Sequence, residues 1–276
     1  LEKTARFQRT LSQSIDDATV QNLALDDMDR ARFQSCSANG TLLSLTHPDD
    51  EPKSLWLNPH EFSVFLTYRL GLPLASEPIP CNFCHNSIAD TLGNHSMSCL
   101  SGGVRTPLHH SIRDQIKAIA SYAGYAPRIE PMIPHSSKRG DILIRRGQQW
   151  LMIDVSIVNP LAATNLHHAA STPGGAAAAY AKTKHRTYDE VTVPSGWIVT
   201  PLIVDTFGAW DLAALPLLRR MFNDMGARLG LPAHRRAPRA MRNLQLTLAR
   251  GVCKILSRNT PAALPLETAP PRDAHG

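Results

Sequence analysis

Six side chains in the middle of this 276-residue chain are of types that hold metal ions. Four of them are spaced as Cys81-x2-Cys84-x10-His95-x3-Cys99. A Cys-x2-Cys turn brings two thiolates to one ion, and His-x3-Cys adds two ligands from one face of a helical turn. Four soft or borderline donors suit tetrahedral Zn2+, and a closed set with no open position predicts a structural site. The alternative is three unligated cysteines that happen to lie near one another. His85, directly after Cys84, competes with His95 but has the poorer spacing. The other two side chains are Asp141, which opens Asp141-Ile-Leu-Ile, and Asp154, which ends Leu151-Met-Ile. Hard cations such as Mg2+ or Mn2+ take oxygen ligands, and hydrolysis of a phosphodiester needs such a cation to offset charge and activate water. Asp154 follows four apolar residues from Trp150, and a buried carboxylate without a cation or hydrogen bonds is costly. A salt bridge to Lys138, Arg139 or Arg145 is the competing account of that aspartate.

The elements that must position these groups can be read from periodicity. Residues 129–133, 142–145 and 150–158 are strand-like, with Arg146-Gly147 closing an antiparallel hairpin between the last two. Residues 106–123 carry Ile112, Ile116, Ile119 and Ala120 on one helical stripe. A Gly/Ala segment at 174–181 leads into a helix bearing Lys182, Lys184 and Tyr188, and 197–205 reads as a strand ended by Phe207-Gly208. Asn58 and Pro59 cap a helix that places Phe62, Phe65, Leu66 and Leu70 on one face and stops at Gly71. Helical spacing through residue 35 involves Leu23, Leu25, Met28 and Phe33; Asn39-Gly40 and His47-Pro48-Asp49-Asp50 are turn chemistry. Helices are expected over 211–229 and 238–258, and the proline-bearing end reads as disordered.

Composition sets outer bounds. Hydrophobic residues make up 43% and charged residues 19%, a globular balance. No apolar run approaches the roughly 18 residues of a membrane span, and no signal peptide is evident. An odd count of five cysteines, three of them at ligand spacing, predicts a reducing, intracellular compartment. Net charge is +6, and from Asp211 onward eleven Lys/Arg face four Asp/Glu. That excess is either a phosphate-contacting surface, with Arg235, Arg236 and Arg239 as candidates, or simply solvated. A start at Leu1 rather than Met suggests a piece of a longer protein.

The order of these features resembles a known family. Cys81…Cys84…Gly93-Asn94-His95…Cys99…Gly102-Gly103…His109-His110-Ser111-Ile112-Arg113-Asp114 is similar to the C-terminal region of non-LTR retrotransposon polyproteins that carry a restriction-like endonuclease. So are Glu130-Pro131, Lys138-Arg-Gly-Asp141-Ile-Leu-Ile and Ile153-Asp154-Val-Ser-Ile-Val-Asn159-Pro160. Upstream, Ala31-Arg-Phe-Gln-Ser35 to Arg69-Leu-Gly71-Leu-Pro73 looks like the linker after the polymerase; downstream, Lys184-x3-Tyr188 and Pro201 to Trp210 continue the likeness, which covers about 30–212.

The resemblance implies an α/β (α+β) fold of the PD-(D/E)xK kind, a mixed sheet flanked by helices. The implied layout is a helical linker region at 1–75, a zinc knuckle at 76–104, a nuclease core at 105–212, a basic helical extension at 213–258 and a disordered tail at 259–276. It implies a metal-dependent endonuclease that nicks a DNA target so that an upstream reverse transcriptase can prime from it, in the nucleus and in company with element RNA. Asp141 and Asp154 match the two acidic positions. The position usually held by lysine is Ser156, so Lys184 from the following helix becomes the catalytic candidate and Lys182 the second, each with a solvated helix face as its alternative. Glu130 and His109 are support candidates, with a strand end and a surface histidine as alternatives. Arg113 joins the nucleic-acid candidates. Leu108 stands where relatives carry arginine and Gly140 where they carry proline. A decayed, non-catalytic nucleic-acid-binding module is the other reading, favoured by Ser156.

Overall fold

The computed structural model describes residues 23–38, 40–41, 56–101 and 105–259, with Ala18, Leu45 and Gly103. The expected turns at Asn39 and at 47–50, most of the first 22 residues, and the tail beyond Asn259 lie outside the described residues.

The architecture is mixed α/β. Helix α1 (Asp27–Ser37) and helix α2 (Pro59–Arg69) come first. A two-stranded hairpin, β1 (Ile79–Pro80) and β2 (Ile88–Ala89), and a short helix α3 (Asn94–Ser98) follow. Helix α4 (Arg105–Tyr122) leads into strands β3 (Arg128–Ile129), β4 (Ile142–Arg146) and β5 (Gln149–Val158). Helices α5 (Ala163–Ser171) and α6 (Gly175–Thr192) then carry the chain over to β6 (Trp197–Asp205). Helices α7 (Leu215–Arg228) and α8 (Ala233–Leu256) close the order.

The main sheet is ordered β3-β4-β5-β6, with β3, β4 and β5 antiparallel and β6 parallel to β5. A parallel neighbour requires a crossover, and α5 with α6 supplies it. Both faces are covered, which explains why β4 and β5 read as apolar runs and not as alternating strands. Ile142, Ile144, Leu151, Ile153 and Val155 share the main core with Ile112 and Ile116 of α4. Leu143, Met152 and Val199 point the other way and pack with Tyr188 and Val191 of α6. Gly140 sits hard against that second face: a Cβ there would lie 2.4 Å from Met152 Cγ.

Some expected faces are rotated. Helix α2 begins with a full capping box, Asn58 accepting from Glu61 N and Glu61 accepting from Asn58 N. Its buried side is Val64, Phe65, Tyr68 and Arg69, while Leu70 is 60% exposed. In α1 the buried residues are Ala31, Arg32 and Ser35, not the apolar set around Phe33. Helix α2 turns polar groups inward because a turn after β6 receives them, and Arg32 of α1 pairs with Asp29 at 2.6 Å. Tyr68 stacks on Phe207 with ring centroids 4.7 Å apart, and Arg69 donates to Phe207 O at 2.7 Å. From the opposite side Gln245 of α8 donates to Gly208 O at 2.7 Å. Gly208 has φ 99°, and a Cβ there would meet the Gln245 amide.

Two helices differ from the sequence reading. Residues 163–171 form α5, where no helix was expected. Helix α8 starts at Ala233, so Pro238 lies inside it with one N–H bond fewer. Its burial of Leu244, Leu246, Leu248 and Val252 outweighs that loss.

Asp205 closes the turn, accepting from Phe207 N at 2.9 Å and Ala209 N at 3.0 Å through Oδ1, with the Ser35 side chain also favouring the carboxylate; among the described residues no group sits at hydrogen-bond distance from the buried Oδ2. Burial pushes its carboxyl from the usual 3.8 up to about 6, against those donors. A carboxyl pKa raised on folding contributes stability below about pH 4 that is lost as pH rises through 6, here roughly 3 kcal/mol at most. Asp205→Asn keeps the Oδ1 acceptor and removes the charge. The wild-type melting temperature relative to that variant should fall between pH 4 and 6 and then level off; a constant difference across the range would show that Asp205 is not the titrating group.

Candidate active site and metal centre

The β1–β2 hairpin and α3 gather the cysteine cluster. Cys81 N donates to Ser87 O at 2.9 Å, and His85 N returns to Cys81 O at 3.1 Å with His85 at φ 54°. This tight turn presents Cys81 and Cys84 together. Asp90 accepts from Leu92 N, Asn94 N and His95 N, fixing the start of α3, and Cys99 follows its last turn. The ligand atoms of Cys81, Cys84, His95 and Cys99 all lie within 4.8 Å of one another. Cys81 Sγ is 3.9 Å from Cys99 Sγ, and Cys84 Sγ is 3.5 Å from His95 Nε2. Such a set can hold one metal ion, and His85 is not part of it.

A shell of donors supports the thiolates. Burial by itself would push the Cys81 thiol up from 9.0. The Cys84 and Phe83 N–H groups, with the His95 and Cys84 side chains, bring it down to about 6. Asn259, just beyond α8, donates from Nδ2 to Cys81 Sγ at 3.5 Å and accepts from Asn82 N at 3.1 Å. Asn259 was absent from the sequence reading; no spacing rule links a ligand to a residue 178 positions away.

The acidic pair sits where the hairpin begins. Ile142 pairs with Ile153, so one step further sets Asp141 opposite Asp154. Opposed Cβ atoms are about 5 Å apart in such a ladder. Asp154 is only 4% exposed. Its Oδ2 lies 3.0 Å from Lys184 Nζ, delivered by α6, and accepts from Ser156 Oγ at 3.3 Å. Burial raises the Asp154 carboxyl pKa, Lys184 pulls it back, and Asp141 pushes it up again. The three alternative partners are engaged elsewhere. Lys138 Nζ donates to Thr187 O, Arg139 contacts Met132 Sδ, and Arg145 donates to Gly147 O.

Lys184 is itself held by aromatic rings. Its Nζ is 5.5 Å from the Tyr180 ring centre and 5.8 Å from that of Tyr188, a helical i±4 sandwich. Burial raises the Tyr188 hydroxyl pKa and Asp154 beside it adds to that, keeping the phenol neutral as a donor. That spacing was visible in the sequence, although only Tyr188 was noticed there.

Asp141 Oδ2 accepts from Val155 N at 2.7 Å and from His109 at 3.2 Å. The same His109 Nε2 lies 3.1 Å from Val155 O, which can only accept. Nε2 therefore carries the hydrogen, and His109 acts as a strap between the strand and Asp141. That hydrogen bond raises the His109 pKa, against its burial. Among the described residues, Oδ1 of Asp141 has no hydrogen-bond partner. A crevice of about 240 Å3 lies alongside, walled by Arg105, Leu108, His109, Ser156 and Tyr180.

The remaining sequence candidates have other partners or surroundings. Glu130, at φ 48°, donates its backbone N–H to Asp141 O at 2.9 Å, but its carboxylate pairs with Arg113 at 2.6 Å, and Arg113 also meets Asp114 at 2.9 Å. Arg113 is buried and engaged in these pairs, so it presents little to a nucleic acid. Lys182 lies on a different face of α6 from Lys184. Arg236 donates to Leu231 O, whereas Arg235 is exposed and Arg239 half-buried. No family model matches the chain, and no curated protein matches it by sequence. No described helix is long and apolar enough to cross a membrane.

The Cys/His cluster has a direct readout. Purified protein should contain about one transition-metal ion per chain by plasma mass spectrometry, and Cys84→Ser should lose most of it. Equal metal content in both would remove Cys84 from the ligand set.

Proposed function

We propose that this chain is a metal-dependent DNA endonuclease with a restriction-like core. In this reading it belongs to a retrotransposon-type polyprotein, nicks a target for priming by an upstream reverse transcriptase, and works in the nucleus with element RNA. The observation that carries the reading is the meeting of Lys184 with a nearly buried Asp154 at 3.0 Å, on the strand that pairs with the one Asp141 opens. Two carboxylates and one ammonium leave an excess negative charge, which suits a divalent cation.

Asp141 and Asp154 would hold Mg2+ or Mn2+. When bound, that cation supplies charge neutralisation of the scissile phosphate and a more acidic water. Lys184 places a second positive charge beside the carboxylates, where it favours deprotonation of the attacking water or offsets charge that develops on the phosphate. His109 and Val155 N fix the Asp141 rotamer. Ser156 donates to Asp154 in the place where a lysine would be expected, and Lys184 approaches the same oxygen from α6. The Cys81, Cys84, His95 and Cys99 set suits structural Zn2+, since three thiolates and one imidazole complete a tetrahedron without an open position.

A second reading is favoured by Ser156 and Leu108: a decayed core that still binds nucleic acid but does not cut. Supercoiled-plasmid nicking with Mg2+ separates the two. Wild type should nick, Asp154→Ala should lose at least about a hundredfold in rate, and Lys184→Ala should lose on the order of tenfold or more. Equal nicking by wild type and Asp154→Ala sinks the catalytic assignment. DNA binding by wild type without any nicking favours the decayed module.

A further inference from the structure

Lys182 has an environment of its own. Helix α6 turns Lys184 and Tyr188 toward the sheet, and two residues along a helix is about 200° of rotation, so Lys182 faces nearly the opposite way. There it lines a cavity of about 540 Å3 between α5 and α6. The walls are cationic or polar: Lys182 and Arg186 from α6, His168 and Ser171 from α5, and Thr172 from the connection. The floor is Ala178 and Ala179, short residues that leave room for a ligand to approach the helix, and at its end Gly175 lets the backbone of α5 close on α6. Among the described residues no acidic side chain lines it. Lys182, Arg186 and His168 are all exposed, and Arg186 donates to the Thr183 hydroxyl on its own helix, at 3.2 Å.

We infer that this groove binds the phosphodiester backbone of a nucleic-acid strand. A cationic lining without a carboxylate selects an anion, and guanidinium and ammonium groups are the usual phosphate contacts. From Gly175 to Arg186 the helix runs roughly 16 Å, enough for several consecutive phosphates and more than one inorganic phosphate needs. The groove is also about one helix diameter, on the order of 10 Å, from the Asp154 side of α6. A strand held here therefore lies within a few nucleotides of the acidic pair. Its use as a substrate clamp rests on the nuclease reading, but the binding itself does not.

The test measures binding without cleavage. The whole 276-residue chain is titrated into a fluorescent 30-base-pair DNA duplex, and in parallel an RNA hairpin, by anisotropy without Mg2+ at several salt concentrations. Lys182→Glu combined with Arg186→Glu should weaken binding at least tenfold at 0.1 M salt. It should also reduce the log–log salt slope by about two on DNA. A loss confined to DNA assigns the groove to the target, and a loss confined to RNA assigns it to the element transcript; either supports a backbone site. Arg30→Glu combined with Lys117→Glu, exposed charges elsewhere, should leave affinity and slope nearly unchanged. An unchanged slope in the groove variant, or an equal fall in the control variant, overturns the assignment. So does tight binding of inorganic phosphate that the groove variant abolishes while polymer binding persists. Plasmid nicking by wild type is scored separately, so failure of the nuclease reading does not count for or against the groove.

Discussion

A carboxylate that is nearly buried in the middle of a sheet is costly unless a cation or hydrogen-bond donors meet it. Asp154 is in that position, and its partner is not on a neighbouring strand but on a helix thirty residues later. The pairing requires α6 to lie across β5 with Lys184 over the carboxylate, and the Tyr180 and Tyr188 rings hold the ammonium there. It also requires the parallel strand β6, since α6 can return along the sheet only through such a crossover. Removing one partner of a buried pair leaves an uncompensated charge, which typically costs several kcal/mol, so this contact constrains the fold as well as the chemistry.

The turn from Asp205 to Trp210 ties this sheet to the rest of the chain. Phe207 receives Tyr68 and Arg69 from α2, and Gly208 receives Gln245 from α8. Ala31, Phe65, Met97, Ile112 and Leu244 consequently belong to one hydrophobic cluster, although the sequence divides them among linker, knuckle, core and extension. The cysteine module is docked in the same way: Asn259 reaches Cys81, and Gly93 leaves no room for a side chain beneath Leu256. Loss of metal should therefore disturb the end of α8, not just a peripheral loop.

What could be read in advance follows a physical divide. Ligand spacing at Cys81, Cys84, His95 and Cys99 is local, as are the capping box at Asn58 and the β4–β5 hairpin, and all were legible. The buried faces of α1 and α2 were not, because Tyr68 and Arg69 are polar residues drawn inward by a turn more than 130 positions away, while buried Arg32 pairs with Asp29 on its own helix. Helix α5 was missed because Asn159-Pro160 and a short Ala/His stretch give weak periodicity. The start of α8 was misread because a proline normally marks a helix boundary, whereas here tertiary burial carries the helix past Pro238. Asp154 was recognisable as anomalous; spacing alone offered Lys138, Arg139 and Arg145 as its partners, and Lys184 entered only through the family resemblance.

In the proposed reading Asp141 and Asp154 hold one divalent cation between them with Lys184 alongside. Crystals of the full chain soaked in Mn2+ and measured at the manganese edge test it most directly. An anomalous peak is expected within coordination distance of both carboxylates, distinct from the signal at the Cys/His cluster and lost in Asp154→Asn. Well-diffracting soaked crystals with no manganese density between Asp141 and Asp154, and Lys184 still paired with Asp154, would contradict it.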